Sequence, residues 1–335
     1  YQTVAHGADT IQFFQLRRSV GGCEKFHGAV IAHAGTADTR VFREVTQLGK
    51  ELEKIGSRVM GSENHAKVGI IFDWENYWAL EYTSGPNCDL RYVDQIEQMY
   101  NYFYNKNIAV DMIPIDADFS KYDLVAAPVL YMVKDGVAES LEAYVQAGGT
   151  LITTYMSGIV GQSDNVHLGG YPGPLRKMAG DALAPEQRNK IRFADGTEEE
   201  CRLVCDLMHL EGAEEIAQYE SDFYAGMTAV AKNQFGKGTV YYVGTDLSES
   251  GLAKVLAMAA DSAAIQPVIG EATALEITKR QADGEDLYFI INFKDEEIPL
   301  PAVFDGKEDI LTGEKVQGGE MLKKYDLRIV SVPRV

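Results

Sequence analysis

Residues 11–35 read Ile-Gln-Phe-Phe-Gln-Leu-Arg-Arg-Ser-Val-Gly-Gly-Cys-Glu-Lys-Phe-His-Gly-Ala-Val-Ile-Ala-His-Ala-Gly, and the rest of the chain takes its meaning from them. The short apolar run Ile11 to Phe14 predicts a buried strand. Polar residues follow at once (Gln15, Arg17, Arg18), then Gly21-Gly22, then Glu24 and His27 flanking Phe26. A strand that runs into a glycine-bearing loop carrying a carboxylate and an imidazole suits the rim of a parallel α/β sheet or barrel, where ligand sites are built. Just beyond, Val41, Val45, Leu48, Leu52 and Ile55 form one apolar stripe at helical spacing. Asp38 or Thr39 can cap that helix, and Gly56 can end it. On residue types alone, a Glu or His near a loop is more often solvated or structural than ligand-binding.

The wider pattern of the stretch narrows this. Phe13-Phe14-Gln15-Leu16-Arg17, then Gly21-Gly22-Cys23-Glu24-Lys25-Phe26-His27-Gly28-Ala29 and His33-Ala34-Gly35, resemble the last barrel strand and loop of the glycoside hydrolase family 42 β-galactosidases. The chain departs from that family at Leu16, where Trp is usual, and at Cys23, where Ala is usual. The resemblance implies that the segment Glu24, Lys25, Phe26, His27 lines a galactose subsite. Glu24 and His27 would bond sugar hydroxyls, and Phe14 would help wall the pocket. It also implies a retaining mechanism with two catalytic Glu at the ends of the fourth and seventh barrel strands, both preceding this segment. Glu24 is therefore expected to bind substrate, and no residue of this chain is expected to be catalytic. For Glu24 to be a nucleophile, a second carboxylate would be needed within about 5–10 Å. Within residues 1–35 only Asp9 is available.

The first residues, Tyr-Gln-Thr-Val-Ala-His-Gly-Ala-Asp, have no basic n-region or apolar h-region, so no signal peptide is expected. One βα unit cannot close a barrel. Residues 1–60 are thus expected to be the tail of a (β/α)8 domain, and the sequence to be a C-terminal piece. The 335 residues, 46% hydrophobic, suffice for two or three cores, and no run approaches the length needed to span a bilayer. A net charge of −19 argues against nucleic acid or an anionic membrane as partner, since both reward Lys and Arg. The four scattered cysteines, Cys23, Cys88, Cys201 and Cys205, fit reduced thiols in a cytoplasm. Cys201 and Cys205, four apart, have the wrong spacing for a zinc knuckle, so buried thiols are favoured over a metal site with His209.

Residues 57–66 are polar and without period, a connection, and a second domain spanning 67–262 begins after them. Strands are predicted at Lys67 to Phe72, Ile108 to Ile113, Leu124 to Val129, Thr150 to Thr154 and Thr239 to Gly244. Helices are predicted at Tyr92 to Asn105, Val137 to Ala147 and near Leu252 to Asp261, with a Gly/Ser/Pro-rich loop at 156–174. This alternation predicts a parallel, flavodoxin-like layer with right-handed crossovers. The loop after its first strand, Asp73-Trp74-Glu75-Asn76-Tyr77-Trp78, would repel phosphates, so no cofactor is expected. The fold also resembles class I glutamine amidotransferases. Leu130 to Val133, where their nucleophilic Cys would sit, contains none, which excludes that activity. What the family resemblance implies here is the β-galactosidase trimerisation domain, hence a homotrimer.

Acids and aromatics together also suit a sugar site. Asp73 and Glu75, two apart in a turn, are poorly placed to flank a glycosidic bond, so Trp74 and Trp78 are read as interface residues. From residue 270 to 335 short β runs separated by Asp-Gly, Gly-Gly and Thr-Gly turns predict a small antiparallel β domain, resembling the family's C-terminal domain. The expectation is thus part of a cytoplasmic β-galactosidase acting on β-galactosides, with no metal; the competing reading is an oligomerisation scaffold without catalytic role.

Overall fold

A computed structural model describes residues 1–83, 87–176 and 189–334. Residues 84–86 and 177–188 of the expected second domain, and Val335, lie outside the described residues. The chain forms two compact units, one from residues 1–65 with 268–335 and one from 66–267.

In the first unit a short helix α1 (Gln2–Ala5) is followed by irregular chain and then by α2 (Arg40–Val59). Thr39 caps α2, its Oγ1 accepting from the Phe42 amide at 3.2 Å. The helix runs past Gly56 to Val59, one turn further than its glycine suggests. Tertiary packing overrides the glycine there, since Val59 is buried and Arg58 Nε donates to Glu285 at 2.9 Å. The expected strand at Ile11 to Phe14 is absent, and Phe13 and Phe14 are exposed. A strand needs a partner, and among the described residues the ladder falls later. The Ile31 amide donates to Leu16 at 2.8 Å, and the Arg18 amide to Ile31 at 3.0 Å.

Among the described residues the second unit is built on a ten-stranded sheet. Its parallel half contains β1 (Val68–Ile71), β2 (Val110–Ile113), β3 (Leu124–Ala127), β4 (Thr150–Thr154) and, later, β9 (Gly238–Val243). Between β1 and β2 lie α3 (Trp74–Tyr82) and α4 (Tyr92–Tyr104); α5 (Val137–Ala147) joins β3 to β4. Strands β1, β3, β4 and β9 are buried along their whole length, as a sheet covered on both faces requires. At Gly69 a Cβ would stand 2.6 Å from the end of the Ile113 side chain and 3.2 Å from the Tyr122 ring, so a larger residue would force both to shift.

The remaining strands, β5 (Asn189–Phe193), β6 (Glu198–Cys205), β7 (Glu214–Tyr219), β8 (Thr228–Phe235) and β10 (Thr245–Leu247), extend the same sheet in antiparallel fashion. The spatial order is β10-β6-β5-β7-β8-β9-β4-β3-β1-β2. A final helix α6 (Glu249–Ser262) packs with α3 and α4 on one face through Met99, Phe103, Val255 and Leu256, while α5 covers the other through Leu141 and Val145.

Returning to the first unit, β11 (Glu276–Ala282), β12 (Glu285–Ile291), β14 (Glu308–Asp309) and β16 (Leu327–Pro333) form an antiparallel sheet in the order β11-β12-β16-β14. Strands β13 (Ile298–Pro299) and β15 (Met321–Leu322) pair separately. β12 alternates as its pleat demands. Leu287 and Phe289 join Ile55 and Val59 of α2, and Ile290 joins Leu300, Phe304 and Leu322 on the opposite face. Among the described residues no helix is long and apolar enough to cross a membrane.

Candidate functional site

The glycine-bearing loop condenses into one tight turn. Gly22, at φ +71°, leads into a 3₁₀ turn Cys23–Phe26, and the His27 amide donates to the Glu24 carbonyl at 3.0 Å. Glu24, Lys25, Phe26 and His27 are thus held on one turn, with Glu24 half-buried and the other three exposed. The Lys25 ammonium stands 5.5 Å over the Phe26 ring, which is 81% exposed, and Phe14 is 75% exposed on the preceding segment. The loop is braced from within. Ser19 Oγ donates to Gln15 at 3.2 Å, and His33 Nε2 lies 2.9 Å from the Ser19 carbonyl.

Two further polar groups belong to this loop that residue-type reasoning did not assign. Gln15 Nε2 and Arg18 Nε are buried without a hydrogen-bond partner among the described residues. Their signal was their position, polar residues directly after an apolar run. Asp9 is committed elsewhere. Its carboxylate accepts from Arg280 at 2.6 Å and from the Gly61 amide at 3.1 Å, and Arg280 above all holds its titration below the usual carboxylate range. It is therefore not available as a catalytic partner for Glu24.

The second candidate stretch is not a loop. Asp73 is the N-cap of α3, accepting from the Asn76 amide at 3.0 Å, so Trp74 and Trp78 lie one helical turn apart with ring centroids 6.1 Å from each other. Both are more than half exposed, and Tyr82, one further turn along, is 92% exposed. The acids of the stretch are engaged by Lys134, whose Nζ lies 2.7 Å from Asp73 and 2.5 Å from Glu75. Burial opposes the charge on Lys134, but the two carboxylates outweigh it and raise its titration above the ordinary lysine value.

In doubly wound sheets ligands enter where the strand order reverses, here between the carboxyl ends of β1 and β3. That crevice is filled by the protein itself. Fully buried Asn76 donates to the Val129 carbonyl at 3.1 Å and accepts from the Met132 amide at 2.8 Å. Just before Leu130 to Val133, where an amidotransferase nucleophile would sit, Val129 stands at φ +45°, its amide donating to Thr154 Oγ1 at 2.8 Å. Cys201 and Cys205 are buried and His209 is exposed; among the described residues no group of three His, Cys, Asp or Glu is placed to hold a metal.

Comparison with known proteins agrees along the whole chain. Residues 1–55 match the β-galactosidase family profile, residues 66–266 the β-galactosidase trimerisation domain, and residues 274–331 the β-galactosidase C-terminal domain. The chain is 48% identical to β-galactosidase LacZ of Lactobacillus acidophilus over 98% of its own length and 50% of that protein. It is 44% identical to β-galactosidase BgaA of a Planococcus species, covering 99% of this chain and 50% of the relative. A crystal structure of β-galactosidase from Bacillus circulans sp. alkalophilus superposes with a TM-score of 0.93 at 42% identity, covering 99% of this chain and 51% of that one. The chain therefore spans about half the length of the curated relatives it matches. The three family matches, taken with the doubly wound sheet and the antiparallel sheet, define the class as part of a glycosidase. The chain belongs to glycoside hydrolase family 42.

Proposed function

We propose that this chain is part of a retaining β-galactosidase that hydrolyses terminal β-D-galactosides, supplying galactose-subsite residues and the surface for oligomerisation. The observation that supports it is the run of three β-galactosidase family matches, consecutive and in order, from residue 1 to residue 331. In this reading residues 1–60 are the last βα unit of a (β/α)8 barrel. Residues 67–262 are a flavodoxin-like trimerisation domain, and 270–335 a C-terminal β domain. The protein works in the cytoplasm, which suits its four free cysteines.

Glu24 and His27 hold sugar hydroxyls, Lys25 and Phe26 line the same subsite, and Phe14 contributes an apolar wall. The proton donor and the nucleophile, two carboxyl groups about 5–5.5 Å apart in a retaining enzyme, lie outside these residues. The 335-residue chain alone is therefore expected not to hydrolyse a chromogenic β-galactoside. Turnover by the purified piece that disappears in Glu24→Gln would overturn the assignment of Glu24 to binding. In the whole enzyme, charge-assisted hydrogen bonds of this kind are worth roughly 1.5–3 kcal/mol each. Glu24→Ala and His27→Ala are accordingly expected to lower kcat/KM by about ten- to a hundredfold. Unchanged kinetics in both variants would return these residues to a structural role.

The second reading is a scaffold without catalytic duty, favoured by the crevice that Asn76 and Val129 close. Both readings share a homotrimer in which α3 presents Trp74 and Trp78 to a neighbour. Cyclic symmetry makes that contact heterologous, so one substitution alters three interfaces at once. Losing a buried interface Trp commonly costs about 2 kcal/mol or more. Sedimentation equilibrium should then show a trimer for the wild type and a shift towards monomer for Trp74→Ala with Trp78→Ala. A wild-type monomer or stable dimer at micromolar concentration would rule the trimer out.

A further inference from the structure

Helices α4 and α6 of the second unit share a core through Met99, Phe103, Val255 and Leu256, yet a cleft of about 1270 Å³ opens between them. Its α4 wall is the stripe Gln98, Asn101, Tyr102, Asn105 and Lys106, spaced i, i+3, i+4, i+7, i+8. A stripe with that spacing turned towards another helix is ordinarily apolar. This one carries a polar group at every position. The α6 wall repeats the spacing with Glu249, Leu252, Ala253, Leu256 and Ala257, and is apolar after its first residue. Ala253 and Ala257 are too short to reach the amides opposite, so the gap between the two stripes stays open.

Arg202 of β6 also lines the cleft. Buried Asp246 holds its Nε at 2.8 Å while the side chain remains 62% exposed, so the guanidinium is fixed in place with donors to spare. Lys106 is steadied too, its ammonium 5.3 Å over the Tyr102 ring. The charges of the lining nearly cancel, Lys106, Lys190 and Arg202 standing against Glu200 and Glu249. In a chain of net charge −19, that balance argues against a strongly charged ligand of either sign.

One wall of side-chain amides facing one wall of Leu and Ala asks for a molecule with a hydroxylated rim and apolar C–H faces. Side-chain amides both donate and accept hydrogen bonds, as hydroxyls do. A pyranose ring is such a molecule. The volume exceeds the roughly 300–1,000 Å³ of pockets that take drug-sized ligands, so a disaccharide or longer chain has room. We propose that this cleft is a saccharide-binding site for a neutral di- or oligosaccharide. Ring faces lie on Leu252, Leu256 and the two alanines, and hydroxyls meet Gln98, Asn101, Asn105 and the Arg202 guanidinium. The saccharide class follows from the lining; only the inclusion of a galactoside among the probes rests on the function proposed above.

The test is saturation-transfer NMR on the full chain, in the assembly it forms, titrated with lactose and, separately, with maltose. The expected result is saturation reaching the ring C–H protons of at least one sugar. That signal should persist in Glu24→Ala with His27→Ala, which removes the groups proposed to hold galactose. In Asn101→Ala with Asn105→Ala the affinity should fall about tenfold or more. Both asparagines are exposed on α4, so the melting temperature should not move. Ala253→Trp, which fills the cleft from the α6 wall, should remove the signal by a different route. Maltose binding without lactose binding supports the cleft and removes galactosides from its ligands. A signal lost in the Glu24 and His27 variant but intact in both cleft variants overturns the proposal and leaves the galactose-subsite reading standing. Silence from both sugars overturns it as well, as does equal saturation of sorbitol, which has the hydroxyls but no ring face.

Discussion

Replacing Arg280 by methionine is expected to weaken the first unit by about 3–5 kcal/mol, the scale for removing one partner of a buried charged network. Arg280 is a fully buried side chain of β11. One terminal nitrogen donates to the carbonyls of Val4 at 2.9 Å and Ala8 at 3.0 Å, the other to Asp9 at 2.6 Å and the Ser62 carbonyl at 2.6 Å. Many buried ion pairs can be exchanged for apolar residues at little cost. Here three of the four acceptors are backbone carbonyls, which no second substitution can remove, so Asp9→Ala should not rescue the variant. Hydrogen exchange at residues 1–9 and 59–63 should rise far above wild type, and the urea midpoint of this unit should fall. A change under about 1 kcal/mol would mean that the carbonyls find water instead.

The second large effect is one of pH. Asp206 is buried beneath Tyr242, whose hydroxyl donates to it at 2.6 Å, while its other carboxylate oxygen has no partner among the described residues. Burial lifts its titration from the ordinary 3.8 to about 8, against the opposing bond from Tyr242. The folded chain therefore keeps a proton there that the unfolded chain releases near pH 3.8. Stability from this group is complete below that pH and drains away as pH rises towards about 8, by about 1.4 kcal/mol per unit. Asp206→Asn cannot ionise and is expected to flatten that slope. Urea midpoints of the second unit at about pH 5 and about pH 7.5 would decide it. Parallel pH dependence in wild type and variant would show that the carboxyl is already charged in the fold.

The parallel half of the large sheet was legible because its strands are buried on both faces and read as unbroken apolar runs, Val68 to Ile71 and Leu124 to Ala127 among them. The antiparallel half was not. Glu198-Glu199-Glu200 in β6, and Asn189-Lys190 with Arg192 in β5, look like solvated loop in one dimension. Only their pairing makes them strands. Arg192 reaches Glu220 at 2.9 Å and Glu198 at 3.0 Å, contacts set by register across neighbouring strands. The glycine-bearing loop of Glu24 to His27 was legible from Gly21-Gly22, and Gly22 leads into its turn. Ile11 to Phe14 misled, since apolar content predicts burial but does not supply a pairing partner. The stretch after β1 misled the opposite way. Asp73 reads in one dimension as part of a loop, yet three residues before Asn76 it is in place to start a helix.

Val129 holds stored strain. A β-branched residue at φ +45° is among the least comfortable conformations available, and such positions cost of order 1–3 kcal/mol. The bonds to Thr154 and Asn76 together offset a penalty of that size, at about 1 kcal/mol each. The turn is therefore loaded against its own restraint. Asn76 sits on α3, between Trp74 and Trp78, so the same side chain that restrains the turn also fixes the angle at which both indoles leave the surface. Were Asn76 to let go, the relaxing turn and the tilting helix would move together, and the aromatic face would lose its aim without losing a single aromatic residue.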